Sequence, residues 1–107
     1  MTILVSYEGR PVATVGARRV HLSPQIVALP DQDPLLRFVT IMCAYALDVS
    51  QEAVVGPYSD SDARAFARAA LISDEDLARV ATRDDAYAAA QLGVPVAELR
   101  HRRKDQG

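Results

Sequence analysis

The chain holds few side chains able to do chemistry, and their spacing decides which chemistry is open to it. His21, His101 and Cys43 are its only imidazole and thiol donors for a transition metal. A zinc site needs several such donors converging on a tetrahedron. Neither histidine has a second His or Cys three or four residues away, and Cys43 sits inside an apolar run where a lone cysteine acts as a small buried hydrophobe. Asp74-Glu75-Asp76 and Asp84-Asp85 are acidic pairs and triplets of the kind that open helices in solvent. No glycine-rich phosphate loop, no local Ser-His-Asp grouping and no tryptophan is present. The expectation is a protein without metal or cofactor.

The most specific spacing lies near the end, in Ala89-Ala90-Gln91-Leu92-Gly93-Val94-Pro95-Val96-Ala97-Glu98-Leu99. A small residue, then a glycine four positions on, then an apolar residue after five more, is the spacing of a helix-turn-helix. Ala89 is small where the second helix crosses, Gly93 supplies the positive φ of the turn, and Val94 and Leu99 fill the angle between helices. Arg100, His101, Arg102, Arg103 and Lys104 then form a basic cluster on an otherwise acidic chain. One reading makes these phosphate contacts of a DNA-binding module, working as a homodimer because a single module covers little area. The other makes the pair a hairpin that closes the core or meets a protein, its last turn basic because the helix dipole favours cations there. The start of the second helix, Pro95-Val96-Ala97-Glu98, is poor in donors for reading bases.

These residues need a scaffold to position them. Thr2-Ile3-Leu4-Val5-Ser6-Tyr7, Val12-Ala13-Thr14-Val15 and Arg18-Arg19-Val20-His21-Leu22 read as short strands punctuated by Gly9, Pro11 and Gly16. A proline-rich connector follows, with one helical turn at Gln25 to Leu29. From Pro34 the chain is apolar almost all round for about 15 residues, which is the pattern of a buried central helix. Gly56-Pro57 breaks the next stretch. Ser59 or Ser61 then caps a helix whose alanines approach the central helix and whose Arg64 and Arg68 point outward. Ser73 and Asp76 have capping-box spacing. The expected fold is a single α+β domain over 1–107. Short N-terminal antiparallel strands (1–22) pack on a mainly helical domain, with a central helix at 34–49, a second helix at 59–72 and a helix-turn-helix-like C-terminal pair within 73–104.

Composition sets outer limits. The sequence has 107 residues, 50% of them hydrophobic and 24% charged, with a formal net charge of -2. That size suits one core, argues against disorder along the chain, and gives no bulk attraction to nucleic acid. No apolar run reaches the length of a membrane span, and the first residues lack the basic region of a signal peptide. With a lone cysteine, the expectation is a cytoplasmic protein that avoids membranes.

The order of these elements resembles the ImmA/IrrE-type domains, small zinc metallopeptidases that cleave or control repressors in phages, mobile elements and stress responses. The resemblance rests on Val20-His21-Leu22, on the helix entry Arg37-Phe38-Val39-Thr40, on Asp62-Ala63-Arg64-Ala65-Phe66-Ala67-Arg68-Ala69-Ala70-Leu71-Ile72, and on Leu92-Gly93-Val94-Pro95-Val96-Ala97-Glu98-Leu99 with Arg102. It covers the chain from about residue 18 onward. The departure is at the motif that carries catalysis. Where the family places H-E-x-x-H, this chain reads Thr40-Ile41-Met42-Cys43-Ala44-Tyr45-Ala46-Leu47. Counting from Phe38 puts Met42, Cys43 and Ala46 at the ligand, base and ligand positions; counting from Thr40 puts Cys43, Ala44 and Leu47 there. Of the implied ligands only Asp62, matching the family's carboxylate, survives. One carboxylate cannot hold catalytic zinc or activate a water. The resemblance therefore implies a non-catalytic regulator or effector that binds a repressor or host regulatory protein, with Arg64, Arg68, Arg100, Arg102, Arg103 and Lys104 as candidate contacts.

Overall fold

The computed structural model describes residues 2–51 and 56–106. Three strands, β1 (Ile3–Tyr7), β2 (Arg10–Gly16) and β3 (Arg19–Leu22), form an antiparallel meander in that order. Ile3 faces Val15, Val5 faces Ala13, and Ala13 faces Leu22 across the sheet, so one pleat face collects the apolar side chains. The register shifts between Val5 and Ser6, and Ser6 pairs with Pro11 beyond it. Proline cannot donate to the ladder, and an irregularity in pairing is where a strand tolerates one. Both hairpins turn through two residues of positive φ, Glu8 and Gly9 (51° and 79°), then Ala17 and Arg18 (50° and 62°). The second turn has neither glycine nor asparagine, so it carries about 1–2 kcal/mol of backbone strain per residue.

The helices follow: α1 (Pro24–Val27), α2 (Pro34–Ser50), α3 (Asp60–Leu71), α4 (Asp74–Arg79), α5 (Asp85–Leu92) and α6 (Val96–Gln106). Helix α1 begins one residue before the expected turn and stops at Val27. Pro34 opens α2, where the Asp33 side chain accepts the Leu35 N–H. The Ser59 side chain caps α3 by accepting the Asp62 N–H, which decides between the two expected caps. Ser73 and Asp76 close a reciprocal capping box on α4. The expected break at Gly56-Pro57 lies between α2 and α3, next to residues 52–55, which are outside the described residues.

Helix α2 is the centre. Phe38, Val39, Met42 and Ala46 have no exposure, and they pack under the sheet with Val5 and Val15. A second cluster, built around Ile72, Leu77, Ala88, Ala89, Val94 and Leu99, fills the C-terminal helices. Leu71 packs against both clusters and joins them. The fold is α+β, as its patterning implies. No helix among the described residues is long and apolar enough to cross a membrane.

Candidate functional site

Met42, Cys43 and Ala46 are successive inward-facing positions of α2, with 0%, 2% and 0% of their surface exposed. Burial pushes the Cys43 thiol up to about 11, so near neutrality it is protonated and unreactive. Asp62, the surviving carboxylate of the implied ligand set, is exposed on the first turn of α3. Its backbone N–H is capped by Ser59, and its carboxylate has no partner among the described residues. Among those residues, no group of three or more His, Cys, Asp and Glu gathers where an ion could sit. His21 lies exposed on β3, and His101 pairs with Asp105 on the surface of α6 at 3.3 Å.

The main polar assembly lies elsewhere and corrects the expectation that Arg64 and Arg68 point outward. Both arginines reach the carboxylate of Glu98 on α6, which has no exposure. Arg64 Nε and Nη2 each lie 2.7 Å from Glu98 Oε2, and Arg68 Nη1 lies 2.9 Å from Oε1. Tyr7 Oη donates to Oε2 at 2.5 Å, and the Arg64 guanidinium stacks 4.6 Å above the Tyr7 ring. Burial alone would raise the Glu98 carboxyl, but hydrogen bonds from Arg64, Tyr7 and Arg68 outweigh it and hold the carboxyl below its ordinary value. Burial and the Glu98 bond push the Tyr7 phenol up. A fully buried carboxylate that stays ionised neither gives nor takes a proton near neutrality. What it does is tie β1, α3 and α6 together.

Helices α5 and α6 meet in the expected geometry. Gly93 has φ 68°, Ala89 and Leu99 are buried at the crossing, and Val94 fills the angle. Arg37 of α2 donates to the carbonyls of Leu92 and Gly93, which fixes this turn to the central helix. The basic cluster is only partly available. Arg102 donates to the Ile72 carbonyl and pairs with Asp74 at 2.6 Å. Arg103 donates to the Val80 carbonyl and pairs with Asp85 at 2.6 Å. These two, expected to contact a partner or DNA, brace α6 against α4 and α5. Arg100 is exposed but pairs with Asp85 at 3.2 Å, and Lys104 is exposed without a partner among the described residues.

With its arginines turned inward, α3 presents an apolar outer face. Ala65, Phe66, Ala69 and Ala70 are exposed, while Ala63 and Ala67 pack on the core. Phe66 is 45% exposed and meets Tyr45 of α2 with ring centroids 5.4 Å apart. Tyr58 adds a third ring, 6.2 Å from Tyr45, and donates to Asp60, which also accepts the Ser6 N–H of β1. Separately, a cleft of about 690 Å³ opens between the β1–β2 hairpin and α1, lined by Tyr7, Pro11, Val12, Ile26 and Leu29 among others. Comparison with family models, curated proteins and solved structures finds no match.

Sequence reasoning missed Glu98, Tyr7 and Phe66. A glutamate embedded among Val94, Val96 and Leu99 was the available signal for the first, since a charge in an apolar helix face needs a partner.

Proposed function

We propose that this chain is a non-catalytic regulatory or effector protein on an ImmA/IrrE-like scaffold, of phage or mobile-element origin, acting in the cytoplasm by binding another protein. The observation that carries the reading is the closed core at Met42, Cys43 and Ala46, with Asp62 apart on the surface. Polar ligands in that place would be buried groups needing partners; apolar ones are core. A chain whose chemistry-bearing positions are packed works through its surfaces, and α3 offers one that is apolar where a solvated helix would be charged.

The experiment is affinity capture from native host lysate, with nuclease present and at moderate salt, read by mass spectrometry. The expected result is one protein retained in stoichiometric amount. Retention of nothing with nuclease, and of DNA fragments without it, overturns the reading.

A second reading, a DNA-binding regulator using α5 and α6, is favoured by the αL turn at Gly93 and the buried Ala89 and Leu99. Its test residues are Arg100 and Lys104, since Arg102 and Arg103 are committed to the fold. In that reading Arg100→Ala with Lys104→Ala weakens DNA binding across all sequences and flattens its salt dependence.

A further inference from the structure

Helix α3 is inverted relative to an ordinary surface helix. Its two arginines face the interior and, from Ala65 onward, its solvent face is Ala65, Phe66, Ala69 and Ala70. A buried charge network and an exposed apolar stripe on the same helix are the two departures from ordinary burial that carry information. Among the described residues the other large exposed apolar side chains, Leu4, Val20, Val27 and Tyr87, lie on other elements. Phe66 instead adjoins Tyr45, so the stripe continues onto α2, where Ala44 is exposed and Ile41 half-buried one turn before Tyr45.

We propose that the outer face of α2 and α3, centred on Phe66 and Tyr45, docks a helix of a protein partner whose apolar stripe carries lysine or arginine at one end. The inference rests on the protein-binding reading and names the chemistry of that partner. The small side chains at 65 and 69 stand one turn apart and let a second helix backbone approach at close range, while Phe66 supplies the aromatic anchor such interfaces use. Charge selects the partner. Asp62 precedes Phe66 by one turn on α3, and Asp48 follows Tyr45 by one turn on α2. Both are exposed, and neither carboxylate has a partner among the described residues. The exposed face from Ala65 to Ala70 holds no basic residue to answer them. An incoming helix with cations at that end is complementary, and one with carboxylates there is repelled.

The test is a titration of the isotopically labelled full chain with two synthetic helical peptides. They share one leucine–alanine stripe; one ends in lysines and its twin ends in glutamates. The lysine peptide is expected to shift the amides around Tyr45, Ala65, Phe66 and Ala69 saturably, and to bind roughly tenfold tighter than its twin. Asp48→Lys with Asp62→Lys, at exposed positions that leave the core intact, is expected to reverse that preference. Equal affinities, shifts confined to α6, no saturable shift, or a dimer of this chain that hides Phe66 would each overturn the proposal. If the surface fails while nuclease-resistant capture still retains a protein, the site is wrong and the protein-binding reading stands. If capture retains no protein, the reading itself falls.

Discussion

Glu98→Gln removes one charge and leaves the shape of the side chain, which isolates the electrostatic part of the assembly. In the native protein the carboxylate has no exposure, and Arg68 and Arg64 are only 11% and 28% exposed. Removing the anion strands two guanidinium groups in a partly dry site. Breaking a buried pair in this way costs about 3–5 kcal/mol, against a total stability on the order of 5–15 kcal/mol for a domain of this kind. The melting temperature should fall by roughly 15–25 °C. Urea unfolding followed by circular dichroism measures the first quantity, and a thermal melt measures the second. Adding Arg68→Met to Glu98→Gln should cost less than the sum of the single losses, because the second change removes a cation already stranded. The pH dependence has a definite sign. Glu98 is held below its ordinary value of 4.5, so its contribution is complete above that pH and is lost as pH falls through the folded value. The gap between wild type and Glu98→Gln should therefore stay constant from neutrality to about pH 5 and close in stronger acid. A loss below about 1 kcal/mol, or a gap that widens on acidification, refutes the reasoning.

Three further outcomes follow from the same geometry. The Cys43 thiol, pushed up to about 11 by burial, should resist a disulfide reagent at pH 8 in the folded protein and react at the rate of unfolding; fast labelling of native protein would place it at the surface. Gly93→Ala puts a Cβ on a residue of φ +68° and 3.0 Å from Arg37 Nη1, so it should cost about 1–2 kcal/mol and disturb the Arg37 bonds to the α5–α6 turn, visible in the Arg37 side-chain resonances. Arg103→Ala leaves the Val80 carbonyl without its guanidinium donor and should destabilise by about 1–3 kcal/mol, whereas Lys104→Ala should leave the urea midpoint unchanged.

The parts of this fold legible in the sequence are those set by local rules. Pro34 after Asp33 opens α2, Ser73 with Asp76 opens α4, and the spacing from Ala89 through Gly93 to Leu99 gives the α5–α6 corner. The turn at Ala17 and Arg18 was hidden because it uses positive φ without glycine or asparagine. The orientation of α3 was hidden for a different reason. Its pattern alternates alanine and arginine, and alanine is as content outside as inside, so local patterning leaves the buried face undetermined. The deciding group, Glu98, lies 34 residues beyond Arg64 and 30 beyond Arg68. Only the tertiary fold brings it to them, and with it the arginines turn in and Phe66 turns out. The same holds for Arg102 and Arg103, which read as a free basic cluster until Asp74, Asp85 and two backbone carbonyls meet them.

We propose that this chain acts by binding a protein through its helical surface. The most direct measurement is photo-crosslinking in native host cells with benzoylphenylalanine placed at position 66 and, in a second variant, at position 104. The expected result is a discrete protein adduct from position 66 that survives nuclease, and none from position 104. A nuclease-sensitive adduct from position 104, with nothing captured at position 66, would contradict it and make α6 the working surface.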